Sequence, residues 1–239
     1  MKKKLVLIAM ISVSILYGCS KGNSNTAIEN NTEGKPIIEE NVSENLNIDT
    51  NIKSSDEALT MLKDGNERFL NDKSELRNIN QQRRDQLKEG QNPYAVIVSC
   101  SDSRVTPTTI FNAGLGEIFD IRIAGNVVDD DALGSIEYAI EHCNTPLIVV
   151  IGHQSCGAVT AAYNKVIKGE ALEGHIEDIV EKIEPSIDKN ATLDDAINKN
   201  IEATIKKILE DESIKKFIDE GKVKIVGAYY DLGGKVTFK

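Results

Sequence analysis

Two cysteines and a histidine stand where soft-ligand metal chemistry is possible: Cys100, and His153 with Cys156 three residues further on. Thiolate sulfur and neutral imidazole nitrogen are good zinc ligands, and three of them fill three of four tetrahedral positions. A structural zinc site closes all four positions with protein atoms, whereas a catalytic one keeps a position for water. His153-x-x-Cys156 is weak by itself, because a histidine near a cysteine is commonly incidental, and Cys100 by itself reads as a buried apolar residue. The joint pattern carries more. Cys100-Ser101-Asp102-Ser103-Arg104 follows one short apolar run, and Gly152-His153-Gln154-Ser155-Cys156-Gly157 follows another. Zinc held by three histidines lowers the pKa of its bound water to about 7, so a nucleophile exists near neutral pH. Two thiolates place more negative charge on the ion than imidazoles do, which predicts a less acidic water and activity rising towards alkaline pH.

Asp102 and Arg104 lie two apart, and a carboxylate held by a guanidinium stays ionised and fixed in direction. The bland alternative is a surface ion pair. Gly157 follows Cys156 and opens a helix, so backbone N–H groups there can support a thiolate or an anionic product. A tight turn explains that glycine equally well. His142 and His175, the other histidines, fall in no motif and read as structural, and Cys143 reads as a buried thiol.

These residues need elements that bring them together. Tyr94 to Ser99 is short, apolar and β-branched, which predicts a buried central strand ending at Cys100. Ile118–Ile123 and Leu147–Ile151 predict further buried strands, with a helix over Asp131–Cys143 between them. Upstream, Ser54 and Glu57 have capping-box spacing ahead of Ala58, Leu59, Leu62 and Phe69, and a polar helix from Gln81 to Lys88 stops at Gly90. Downstream, helices are expected at Ala158–Ile167, Ile176–Ile183 and Asp194–Leu209, then a strand at Val223–Tyr229 and a terminal segment Lys235–Phe238. The fold class is α/β, a mainly parallel central sheet flanked by helices. Ligands of such folds sit beyond the carboxyl ends of the strands, where Cys100 and His153 can converge.

Through C-x-D-S-R at Cys100, H-x-x-C-G at His153, and Arg122-Ile123-Ala124-Gly125-Asn126 between them, the sequence resembles the β-carbonic anhydrases. The likeness runs from about Ser54 to Phe238 and includes Ile136-Glu137-Tyr138 and Gly227-Ala228-Tyr229-Tyr230-Asp231-Leu232. It implies one zinc ion per subunit and reversible hydration of CO2 to bicarbonate and a proton by zinc-bound hydroxide, which the Asp102–Arg104 pair orients. Family members differ in whether the aspartate replaces water on zinc. Gln91, nine residues before Cys100, matches a glutamine of the plant-like subtype that acts on substrate across a dimer interface, which favours the open form and a homodimer or larger assembly. Phe119, Ala124 and Tyr138 match positions lining the CO2 pocket, core packing being the alternative for each. Two other functions fit the same residues: hydrolysis of carbonyl sulfide or carbon disulfide, and metal binding without catalysis.

The N-terminus adds location. Lys2, Lys3 and Lys4 precede an apolar run from Leu5 to Leu16, the layout of an export signal, and the run is shorter than the roughly 20 residues a stable membrane span takes. It ends in Leu16-Tyr17-Gly18-Cys19-Ser20, similar to a bacterial lipobox, although Tyr17 is larger than that motif usually carries. Residues 1–18 therefore read as a lipoprotein signal peptide, Cys19 as the lipidated residue, 19–53 as an acidic, Asn-rich flexible tether, and 54–239 as the catalytic domain. An ordinary signal peptide with an incidental cysteine, or an uncleaved anchor, are the alternatives. The mature protein would sit outside the cytoplasm on the cell membrane, where Cys100 and Cys156 could form a disulfide once metal is lost. Removing residues 1–18 takes away three lysines and no acid, moving the formal charge from −10 to −13, so nucleic acid is not an expected partner.

Overall fold

The computed structural model describes residue 52, residues 54–75 and residues 77–239; the expected signal peptide, Cys19 and nearly all of the tether lie outside them. The elements in order are α1 (Ser55–Leu70), α2 (Gln81–Gln86), β1 (Ala95–Ser99), α3 (Pro107–Ile110), β2 (Ile118–Arg122), α4 (Asp130–His142) and β3 (Leu147–His153). There follow α5 (Gly157–Lys168), α6 (His175–Ile183), α7 (Leu193–Leu209), α8 (Glu212–Asp219), β4 (Lys224–Tyr230) and β5 (Val236–Phe238). The strands form one five-stranded sheet in the order β2-β1-β3-β4-β5. The first four are parallel and β5 pairs antiparallel to β4.

Side chains alternate across a pleated strand, and here both faces are covered. Ala95 and Ile97 of β1, with Leu147, Val149 and Ile151 of β3, pack on Ala58 and Leu62 of α1 and on Ile110 and Phe111. Their neighbours Val96, Val98, Ile148 and Val150 face Ile136 and Ala139 of α4, Ile201 and Ile208 of α7, and Ile214 of α8. Continuous burial along β1 and β3 is what parallel strands with helices on both sides require.

Helix ends follow local chemistry. Ser54 accepts a hydrogen bond from the Glu57 amide at the start of α1, and Thr192 with Asp195 forms a full capping box at the start of α7. Helix α7 lies close on the sheet because two strand positions lack a side chain. A Cβ at Gly152 would come within 2.7 Å of Ile201 Cγ1, and one at Gly227 within 2.9 Å of Ile201 Cγ2.

Some elements differ from expectation. β2 is not a buried strand: it is the sheet edge, and Ile121 alone among its residues is buried. β3 runs through Gly152 to His153, pairing His153 with Tyr230, so the histidine belongs to the strand itself. Helices α3 and α8 lie in segments too short to show a helical period; α8 begins after the N-cap Asp211 and buries Ile214.

Candidate metal centre

Cys100 leaves the carboxyl end of β1, His153 ends the adjacent β3, and Cys156 caps α5. Parallel pairing of β1 with β3, Ser99 opposite Ile151, fixes the two strand ends side by side. The chain then turns sharply through Ser155 at φ 55°, a left-handed conformation costing an L-residue about 1 kcal/mol, and this returns Cys156 towards His153. The ligand atoms of Cys100, His153 and Cys156 all lie within 4.8 Å of one another and all three residues are buried. The two sulfurs are 4.0 Å apart.

The donor chemistry fits a metal cation. His153 Nδ1 meets the Gln154 carbonyl at 3.0 Å, which places the ring proton on Nδ1 and the free lone pair on Nε2. That Nε2 is buried and has no hydrogen-bond partner, an orphan that costs about 1–3 kcal/mol unless something accepts its lone pair. The cysteines titrate as a pair: Cys100 is pushed down, first by the neighbouring Cys156 thiol, whereas Cys156 is pushed up by Cys100 and by burial. Both directions express one cause, since a second negative charge 4.0 Å away in apolar surroundings is unfavourable without a cation.

Backbone amides support the sulfurs. The N–H groups of Gly125 and Asp102 donate to Cys100 Sγ at 3.3 and 3.4 Å, and those of Ala158 and Val159, in the first turn of α5, act on Cys156. Gly157 itself is exposed, its φ is not in the left-handed region, and a Cβ there would meet nothing within 4 Å. The tight-turn explanation therefore lapses. The residue leaves open space beside Cys156.

Asp102 and Arg104 form a bidentate pair beside the cluster. Arg104 Nε donates to Oδ1 at 2.9 Å and Nη2 to Oδ2 at 2.7 Å, while the Arg104 amide also reaches Oδ1 at 2.9 Å. Arg104, through those side-chain bonds, holds the Asp102 carboxyl well below the usual carboxylate range.

Phe119 pairs with Val96 within the sheet, four residues before Cys100, and the depression that Gln91 and Tyr138 line includes none of the three candidate ligands. Phe119 and Tyr138 are ring neighbours, 6.3 Å between centroids, and Tyr138 is 50% exposed. Gln91 lines a depression of about 580 Å³ with Tyr138, His142 and Cys143. Ala124 opens the short turn after β2 and is partly buried. His175 is exposed and meets Asp178 at 2.9 Å; Cys143 is buried. A larger cavity, about 1480 Å³, between the start of α4 and the C-terminal half of α7 is lined by none of the three candidate ligands.

Sequence reasoning missed Arg122, whose Nε donates to the Cys100 carbonyl at 3.3 Å and whose Nη2 donates to the Asp102 carbonyl at 2.8 Å. It thereby ties the Cys100–Asp102 loop to the edge strand. The signal was its place in the segment Arg122–Asn126.

Residues 95–236 match the family model described as carbonic anhydrase. The chain belongs to the β-carbonic anhydrase family. Carbonic anhydrase 2 of Mycobacterium tuberculosis (strain CDC 1551 / Oshkosh) is 41% identical over 177 residues, 72% of this chain and 86% of that protein. The carbonic anhydrase of Mycolicibacterium smegmatis is 39% identical, over 74% of this chain and 90% of that one. Among solved structures, the β-carbonic anhydrase of Coccomyxa, in complex with acetazolamide, superposes with a TM-score of 0.57 at 28% identity, covering 64% of this chain and 74% of that one. Tetrameric β-carbonic anhydrases from Sordaria macrospora give 0.58 at 26% identity, covering 65% and 84%. The shared β-carbonic anhydrase fold is the α/β architecture described above.

Proposed function

We propose that this protein catalyses the reversible hydration of CO2 to bicarbonate and a proton, with one zinc ion held by Cys100 Sγ, His153 Nε2 and Cys156 Sγ. The observation that carries this reading is the buried thiol–imidazole–thiol cluster with an arginine-held carboxylate at its side. Bound zinc supplies the Lewis acidity that activates water near neutral pH.

The chain's own residues do the rest. Asp102 Oδ1 takes two hydrogen bonds from Arg104 and Oδ2 takes one, so Oδ2 keeps accepting capacity for the attacking water. A carboxylate fixed in this way accepts without rotating and directs the nucleophile's lone pair at the CO2 carbon. Because Arg104 holds both oxygens and Asp102 stands outside the ligand cluster, the open form is the reading the geometry supports. The space beside Gly157 accommodates the product.

Gln91, Phe119 and Tyr138 fit a role across an interface: they are gathered near the exposed edge strand β2, and the depression that Gln91 and Tyr138 line includes none of the candidate ligands. A homodimer or larger assembly would bring them to a partner's site, in the manner of the plant-like subtype. The N-terminal sequence supports export and anchoring to the cell membrane through lipidated Cys19.

Zinc content measured together with stopped-flow CO2 hydration on the purified protein tests the activity. Stoichiometric zinc with turnover is expected; stoichiometric zinc with none above the buffer rate up to about pH 9 would leave only metal binding, and parallel assays with carbonyl sulfide would identify a different triatomic substrate. Radiolabelled palmitate incorporation should be lost in Cys19→Ser, and equal labelling would end the lipoprotein reading.

A further inference from the structure

We infer that Asn200, on helix α7, is a positioning residue for the metal centre, acting on the Cys100 sulfur through the backbone of Gly125. Asn200 is 2% exposed, and its Nδ2 donates to the Gly125 carbonyl at 2.7 Å. The amide of the same glycine donates to Cys100 Sγ at 3.3 Å. Asn200 thus stands two hydrogen bonds from a ligand atom without touching it.

The turn between them needs holding. Gly125 and Asn126 take successive left-handed conformations, φ 69° and 48°, and a non-glycine residue there carries strain. Gly125 itself admits no side chain, since its φ suits glycine and a Cβ would come within 2.6 Å of Ile183 Cδ1 and 3.1 Å of Ala158 Cβ. Helix α7 grips the turn twice. Asn200 takes the Gly125 carbonyl, and Thr204 Oγ1 donates to the Asn126 carbonyl at 3.2 Å.

A buried carbonyl left without its donor costs about 1–3 kcal/mol, enough to favour rotation of the Gly125–Asn126 peptide towards another partner. The Gly125 N–H lies in the preceding peptide, joined to that carbonyl's peptide at the Gly125 Cα, and the change in the glycine's φ that accompanies relaxation of the turn would move it off the Cys100 sulfur. A hydrogen bond to thiolate lowers the energy of its lone pairs, so its loss changes both metal affinity and the sulfur-to-metal electronic transition. Groups that support a ligand in this way typically matter about 10–100-fold in metal affinity.

The inference rests on the metal-centre reading, and the tests separate the two. Asn200→Leu and the smaller Asn200→Ala are compared with wild type and with Ile208→Val, which loosens the same helix away from the turn. Zinc affinity is measured by competition with a chromophoric chelator, and the cobalt(II) form is examined for its thiolate-to-metal band. Both Asn200 variants should bind zinc about tenfold more weakly and shift that band to longer wavelength, with Ile208→Val unchanged. In wild type loaded with cadmium-113, the Gly125 amide proton should show scalar coupling to the metal. If wild type binds no zinc or cobalt, the metal-centre reading fails. If wild type binds them and the Asn200 variants match it within about twofold with an unmoved band, if Ile208→Val shifts both equally, or if the Gly125 coupling is absent, the role of Asn200 is overturned and the site stands.

Discussion

Arg104 holds both carboxylate oxygens of Asp102, Nε on Oδ1 at 2.9 Å and Nη2 on Oδ2 at 2.7 Å. The planar fork of arginine matches a carboxylate in a way a lysine ammonium does not. Asp102→Ala should retain zinc and lose CO2 hydration by about a hundredfold or more, the scale of a positioned acid–base group. Arg104→Lys, which keeps the charge and loses the second bond, should lose roughly tenfold in kcat with metal content unchanged. Stopped-flow hydration beside metal analysis checks both, and near-normal turnover in Asp102→Ala would sink the assigned role.

Metal removal should expose the cysteine pair to oxidation. Cys100 and Cys156 sulfurs are 4.0 Å apart, and closing to the about 2.0 Å of a disulfide takes only a local shift. With a chelator and oxidised glutathione, one thiolate attacks the glutathione disulfide, releasing one glutathione. The second then displaces the other glutathione to leave the intramolecular bond. Intact-mass and peptide mapping should find the Cys100–Cys156 linkage in metal-free protein and not in the zinc form. Full recovery of activity on adding zinc to the oxidised protein without a reductant would contradict it.

Gly152→Ala tests how closely α7 must approach. The added methyl meets Ile201 Cγ1 at 2.7 Å, one residue before His153, and overpacking of this kind costs about 1–3 kcal/mol. Thermal unfolding should show that loss, and zinc should dissociate faster because the His153 backbone moves with its neighbour. Gly157→Ala, where a Cβ finds open space, should keep wild-type stability while lowering turnover if substrate uses that room.

The parts of this architecture that depend on local pattern were legible. The β-branched runs ending at Ser99 and Ile151 announced central strands, because burial on two faces leaves no polar alternation, and ligand types at their ends announced the cluster that is the candidate metal site. What depends on distant partners was not. Phe119 and Ile121 look as apolar as any core strand, and nothing within Ile118–Arg122 says that no further strand of the same chain pairs beyond it. Asn200 reads as one polar residue of an amphipathic helix, and its carbonyl partner lies 75 residues away. Helix α8 is hidden because eight residues with one buried apolar side chain give too few turns for a period.

Asp211 offers a pH-dependent test of that hidden helix. Its carboxylate accepts from the amides of Ile214 and Ser213, and these bonds, led by that from Ile214, lower its pKa. A depressed folded-state pKa means the stabilisation is complete above the unfolded value, about 3.9, and is lost as pH falls through the folded one. Asp211→Ala should therefore cost about 1 kcal/mol at neutral pH, as other N-cap deletions do. Urea unfolding at pH 7 and near pH 3 should show the gap to wild type narrowing in acid; a constant gap would argue against the cap.

The candidate ligands Cys100 and Cys156 are 56 residues apart in sequence and meet only because β1 and β3 have already paired. An unfolded chain offers no such pocket, so a metal ion held by that cluster would favour the native form and raise its stability with concentration, by up to about 1.4 kcal/mol for each tenfold above the dissociation constant. Supply of the ion in the surroundings would then govern how long each molecule survives, through resistance to unfolding and proteolysis, as well as how fast it works.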